Sequence, residues 1–120
     1  VDKAVEFGSA ANGISGIETA LGLVLAAVDA GHLPLLRAVE ALPTGPARVL
    51  GGLGRRGGAV GLVEGTAADL VVFDRSDRLT VTAEGLASRG KNSPLLGMEL
   101  PGRVLLTMAA GRIAYEAASD

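Results

Sequence analysis

The sequence has no cysteine and no tryptophan, and it has a single histidine, His32. Without cysteine it builds neither a disulfide framework nor a thiolate metal site, a usage that fits a reducing compartment. One histidine excludes a multi-histidine metal centre assembled from this chain alone. Aromatic residues make up 2% of the chain, so the base-stacking platforms of single-stranded nucleic-acid binders are missing. The net charge is −2 and no basic block occurs, which leaves no electrostatic footprint for nucleic acid. Long hydrophobic runs are also absent. The longest, residues 20–28, is bounded by Glu18 and Asp29 and falls well short of the roughly 20 residues that span a bilayer. Nothing at the start reads as a signal peptide, and a first residue of Val rather than Met reads as processing or as a fragment.

What remains is 120 residues, 48% apolar, with a mean hydropathy of +0.40. That is enough for one small domain or a piece of a larger one, with a core made of Leu, Val and Ala. The chain is organised around the stretch Ala11-Asn12-Gly13-Ile14-Ser15-Gly16-Ile17-Glu18-Thr19-Ala20-Leu21, a glycine-bearing turn that runs into an apolar helix. Ser15 and Glu18 have the S-x-x-E spacing of a capping box. Such a turn exposes N–H groups at the positive end of a helix, where an anionic or carbonyl-bearing ligand is favoured. The residues alone favour an ordinary capping loop over a ligand turn.

Residues 17–30 have helical spacing, with Ile17, Leu21, Val24, Leu25 and Val28 in register and alanines between them. The helix is apolar on nearly every side, which predicts burial between other elements rather than a surface stripe. Gly31 is placed to end it. Pro34 opens a second helix with Leu35, Leu36, Val39 and Leu42 inward and an Arg37–Glu40 pair on the wet face. His32, in the turn between them, has no second histidine or carboxylate motif beside it, so a structural role outweighs a ligand or base. A third short helical turn is expected from Pro43 to Gly51, with Thr44 as N-cap and Pro46 in the first turn. Its Arg48 suits an ion pair better than an anion site.

Residues 51–61 hold six glycines around Arg55-Arg56 but lack the order of a phosphate-binding loop, and they read as a hinge. Beyond them the period becomes two. Strands are expected at 59–63, 68–74 and 79–81, with turns at 64–67 and 75–77, then an irregular polar stretch at 83–99. A β-hairpin is expected over 102–116, turning at Ala110-Gly111, with a frayed tail after Ala117. By pattern alone this is a helical part followed by a small antiparallel sheet, with no catalytic constellation of its own.

Four segments resemble the amidohydrolase superfamily. Thr44-Gly45-Pro46-Ala47-Arg48-Val49-Leu50-Gly51 is similar to its T-x-N-P-A-x-x-L-G segment, and residues 61–74, ending Ala68-Asp69-Leu70-Val71-Val72-Phe73-Asp74, to its G-x-I-x-x-G-x-x-A-D-L-V-V-x-D strand pair. Two others narrow the match. Lys3 to Phe7 with Asn12-Gly13-Ile14-Ser15-Gly16-Ile17-Glu18-Thr19 resembles the dihydroorotase pattern K-x-x-x-F-x-x-A-x-x-G-I-x-G-L-E-T. Ser88-Arg89-Gly90-Lys91-Asn92-Ser93-Pro94-Leu95-Leu96-Gly97, then Gly102-Arg103-Val104 and Thr107, resembles that family's S-K-x-x-N-S-P-F-x-G, G-x-V, T tail. The departures are mild: Ala11 stands where Pro is common, and Leu95 where Phe is usual.

The resemblance implies the C-terminal portion of a bacterial type I dihydroorotase. The fold class it implies is α/β, with residues 1–51 the last loop and helices of a (β/α)₈ barrel and residues 52–120 the C-terminal strands of a small flanking β-sandwich domain. It implies cytoplasmic, zinc-dependent, reversible hydrolysis of dihydroorotate to carbamoyl-aspartate in pyrimidine synthesis. Asn12 and Gly13 match the two family residues that touch substrate. The Zn²⁺ ligands and the catalytic Asp of the family's D-H-A-P-H segment find no match here; they are expected upstream of Val1, and Asp2 is not assigned that role. The expected partners are the substrate and the rest of the dihydroorotase chain, with a homodimer or an aspartate transcarbamoylase complex left open, and neither nucleic acid nor membrane. A metal-less scaffold for aspartate transcarbamoylase, or another cyclic amidohydrolase such as an allantoinase or hydantoinase, are the alternative readings.

Overall fold

The computed structural model describes residues 4–10, 13–50 and 61–118. After a single 3₁₀ turn at Phe7–Ser9, the first long element is α1, Ala20–Asp29. It begins later than its apolar spacing predicts, because residues 17–19 form a turn instead. Thr19 is the N-cap and is tied to Gly16, whose carbonyl accepts both the Thr19 hydroxyl (3.1 Å) and the Thr19 amide (3.2 Å). The Ser15–Glu18 capping box does not form, since both groups are bonded to a distant loop. The C-terminal end follows the sequence: Gly31, at φ +75°, donates to the Val28 carbonyl and His32 to that of Ala27, the paired bonds of a Schellman cap.

Residues 35–50 run as one helical stretch rather than two separate helices. It consists of α2 (Leu35–Val39), a π turn (Glu40–Thr44) and α3 (Gly45–Leu50). Pro34 is the extended N-cap, and Thr44 lies inside the helix instead of capping a new one. Pro43 and Pro46 have no amide to donate, and the wider turn absorbs the loss: Gly45 donates to Glu40, five residues back. The Glu40 carboxylate accepts from Arg37 and from Arg48 (2.8 Å), bracing the π turn from outside. These guanidiniums, Arg48 by hydrogen bond and Arg37 by charge, hold Glu40 below the usual carboxylate range. Arg48 is thus an ion-pair residue.

Three antiparallel strands form one sheet in the order β1 (Leu70–Thr80), β2 (Glu99–Ala109), β3 (Arg112–Glu116). Leu70 pairs with Met108, Val72 with Leu106 and Leu79 with Leu100. The expected strands at 68–74 and 79–81 are one irregular strand. The polar residues 75–77 form a bulge inside it, where the Asp74 carboxylate accepts the Ser76 amide and hydroxyl (2.8 and 2.6 Å). Residues 61–63 are not in a strand, and residues 59–60, like all of the expected 51–61 hinge but Gly61, lie outside the described residues. The turn after them is present, with Gly65 at φ +83° and the Thr66 hydroxyl on the Val63 carbonyl. The β2–β3 hairpin turns where expected. Both Ala110 (φ 52°) and Gly111 (φ 77°) are left-handed, as a two-residue primed turn demands. The Ala110 amide donates to the Asp69 carboxylate (2.6 Å) and Gly111 to the Ala68 carbonyl (2.9 Å), which fastens the turn to the approach of β1.

Helix α1 lies on β2 at very short range. A Cβ on Gly22 would sit 2.8 Å from Leu100 Cβ and 3.2 Å from the Pro101 carbonyl oxygen. Gly102, at φ +93°, faces Leu25, whose Cδ1 fills the space a side chain there would need. Leu25 is only 2% exposed, and a second small cluster, Val81, Leu95 and Leu100 with Leu86 beside it, sits where β1 ends and β2 begins. Elsewhere the packing is open. Only Gly22 and Leu25 of α1's ten residues are buried, although nearly all are apolar. Ile17 is 87% exposed, Leu36 82%, Val49 86% and Leu62 91%. The chain exposes 8752 Å² where a closed 12.0 kDa monomer exposes about 6,000 Å². Its radius of gyration is 16.4 Å against about 14 Å for a compact domain of this length. The result is a mixed helix and strand unit with one docked helix and large uncovered apolar faces.

Two substitutions test this packing. Gly22→Ala would favour an isolated helix by about 1 kcal/mol, but here it should cost about 1–3 kcal/mol net through overpacking against Leu100. A raised or unchanged denaturation midpoint would show that α1 does not lie on β2. Ala110→Asn, which suits the left-handed turn, should stabilise by about 1 kcal/mol in the same measurement.

Candidate functional site

The opening turn and the irregular polar stretch, some 70 residues apart in sequence, meet at the N-terminal end of α1. Gly13 is exposed, with φ +67°, a conformation that costs a glycine little and most other residues more. Its carbonyl accepts the Asn92 side-chain amide (Nδ2, 3.3 Å), and two residues on the Ser15 amide donates to the Asn92 carbonyl (2.8 Å). Asn92 therefore brackets residues 13–15 with its side chain and its backbone together. Gly90 passes so close that a Cβ there would lie 2.5 Å from the Ser15 hydroxyl oxygen.

Glu18 forms a second tie. Its carboxylate accepts the amides of Ala87 and Ser88 (both 2.9 Å) and the Ser88 hydroxyl. The Ser88 hydroxyl is the largest influence holding this carboxyl below its ordinary 4.5, followed by the two amides. Within the loop, the Lys91 ammonium caps the Leu86 carbonyl, and buried Ser93 accepts the Leu95 amide (3.3 Å), which leads the chain into the cluster of Val81, Leu95 and Leu100. The loop 86–93 is thus pinned at Glu18, at Asn92 and at Leu95.

Of the sequence-predicted site residues, Gly13 stands in this turn, and Asn12 lies outside the described residues. His32 is exposed, and its backbone amide closes α1 by donating to Ala27. Among the described residues no three His, Asp or Glu side chains gather to hold a metal; the zinc ligands that the resemblance implies are expected upstream of Val1. Among the described residues, too, no helix is long and apolar enough to cross a membrane. The sequence reading missed Asn92, Ser88 and the outward use of Glu18. The Asn92-Ser93-Pro94 segment was visible as a family signature, but nothing local tells that it would clasp the opening turn.

The Glu18 tie has a defined pH dependence. Because its folded value is lowered, the tie contributes fully above 4.5 and is lost as pH falls through that lower value. Hydrogen-exchange protection of the Ala87 and Ser88 amides should therefore fall on acidification below 4.5. Glu18→Gln should lower it at neutral pH and flatten its acid dependence. Protection that ignores both changes would remove the tie.

No family model matches the chain. Curated proteins do. The chain is 46% identical over 116 residues to a protein named dihydroorotase from Anaeromyxobacter dehalogenans (strain 2CP-1), covering 97% of this chain and 26% of that protein. It is 42% identical over 114 residues to the dihydroorotase of Trichlorobacter lovleyi, and 41% over 115 residues to that of Geobacter metallireducens, covering 95% and 96% of this chain and 26% of each relative. The chain spans about a quarter of the length of these relatives. By sequence, then, the chain is similar to about one quarter of the length of proteins named dihydroorotase.

Proposed function

We propose that this chain is the C-terminal quarter of a dihydroorotase that hydrolyses the ring of dihydroorotate reversibly to carbamoyl-aspartate in the cytoplasm. The observation that carries the reading is 46% identity to a dihydroorotase across 97% of the chain. The meeting of the two dihydroorotase-like segments at Gly13, Ser15 and Asn92 supports it from the fold side. In this reading residues 1–51 complete the (β/α)₈ barrel and residues 52–120 belong to the small β-domain. The open flanks are then seats for the rest of the parent. One is the groove of about 770 Å³ lined mostly by apolar side chains such as Leu21, Val24, Leu35, Leu42, Phe73 and Met108, with Asp69 and Thr44 among the few polar ones.

The chain's own part in the reaction is the substrate wall. Dihydroorotate carries a carboxylate and ring amides, and a glycine turn that offers backbone donors and carbonyls can read both. Asn12 and Gly13 are assigned that contact. The zinc ligands and the proton-shuttling Asp are assigned to the preceding three quarters of the parent, and the chain by itself should turn over no dihydroorotate.

The test is a chimera in which this chain replaces the matching quarter of the Anaeromyxobacter dehalogenans protein. It should open dihydroorotate with kcat/KM within about tenfold of that parent, while the 120-residue chain alone is inactive. A folded chimera that prefers allantoin or hydantoin would move the assignment to another cyclic amidohydrolase. A folded chimera inactive on all three would favour a scaffold role.

A further inference from the structure

We propose that Asn92 is a positioning residue for the substrate turn: its side-chain amide fixes the Gly13 carbonyl, and Glu18 holds the loop that delivers it. This rests on the dihydroorotase reading, and it names residues of the tail segment that act on the site from behind rather than touching substrate.

The need for such a residue comes from the turn itself. Gly13 has no side chain to anchor it and adopts φ +67°, so the turn has little intrinsic preference for one conformation. Nothing in α1 holds it either, because the helix starts at Ala20 and the capping box is not made. The restraint is supplied from outside. Asn92 donates through Nδ2 to the Gly13 carbonyl (3.3 Å) and accepts the Ser15 amide on its own carbonyl (2.8 Å), so one residue fixes both ends of the three-residue turn. The close pass of Gly90 against Ser15 keeps the two segments at that distance.

Asn92 is in turn held on both sides. Four residues before it, Ser88 is fastened by its amide and hydroxyl to Glu18; three residues after it, Leu95 enters the buried cluster. Glu18 belongs to the same segment as the turn, so the loop and the turn fasten each other: Asn92 orders the turn, and Glu18 orders the loop that carries Asn92. Losing the Asn92 amide frees the Gly13 carbonyl without removing any group that contacts substrate. Binding should weaken while the chemical step survives.

The experiment uses the chimera described above with Asn92→Ala, Asn92→Asp and Glu18→Gln. Asn92→Asp keeps the shape and the backbone bond but removes the donor. Both Asn92 variants should raise KM for dihydroorotate about five- to tenfold, as the loss of one hydrogen bond to an ordered turn implies, with kcat changed by less than about twofold. Hydrogen exchange at Ser15 should quicken in both. Glu18→Gln should shift KM in the same direction and loosen Ala87 and Ser88 as well. If Asn92→Ala does not fold, Asn92→Asp carries the test alone. An Asn92→Asp variant with unchanged KM, or one in which kcat falls and KM does not, overturns the positioning role while leaving the dihydroorotase reading intact. An unsubstituted chimera that folds but does not act on dihydroorotate overturns the reading itself, and the positioning role with it.

Discussion

The close contact between α1 and β2 governs this structure. It is possible only because Gly22 and Gly102 both lack side chains at the crossing, so that Leu25 can seat itself over Gly102 and the helix backbone can approach Leu100 and the Pro101 carbonyl. Dispersion falls steeply with distance, so a gap of even a fraction of an ångström would forfeit much of the contact. The contact also fixes a direction. With α1 laid along β2, its N-terminal approach reaches the loop that precedes β2, and the bonds between Glu18 and residues 87–88 and between Asn92 and residues 13–15 become available.

Charged groups follow that arrangement rather than create it. Asp29 at the C-terminal end of α1 is poorly placed for the helix dipole, yet it accepts Arg75 of β1 at 2.8 Å and lies 3.6 Å from Arg78. These are exposed pairs, each worth on the order of 0–1 kcal/mol. They tether the far end of the helix to the bulged part of β1, whose shape Asp74 and Ser76 set locally. The same holds for Glu40 between Arg37 and Arg48: the pairs steady a π turn that two prolines impose, and the prolines decide it.

The exposed apolar surface connects the fold to the functional proposal. A chain with 48% apolar residues has ample material for a closed core, yet only Leu25, Ala38, Val81, Leu95 and Leu100 are buried hydrophobic side chains among the described residues. The mismatch between composition and burial is what a segment shaped for a larger body would have. It agrees with a chain that matches its relatives over a quarter of their length. The proposed substrate turn is unlike these flanks: its hydrogen bonds are made within the chain, between segments that carry the family resemblance.

Several features could be read from residues alone because their causes are local. Gly31 ends α1 since only a residue at ease in the left-handed region completes the cap, and Ala110-Gly111 turns the hairpin for a related reason. The apolar spacing of 17–30 and the two-residue period beyond the glycines placed helix and sheet, although α1 starts three residues later and residues 61–63 are not in a strand. Other features depend on partners far along the chain. Ser15 and Glu18 have a capping-box spacing, but a hydrogen-bonding group serves whichever partner the fold brings nearest, and the fold brings residues 87–92. Pro43 and Pro46 read as a break, yet a π turn let the helix continue. The sequence by itself determined most of the elements, the family resemblance and the excess of apolar residues, since these follow from composition and short-range spacing. Only the tertiary structure decided that Asn92 would hold the Gly13 turn, because that bond exists through the docking of α1 on β2 and through nothing local to either residue.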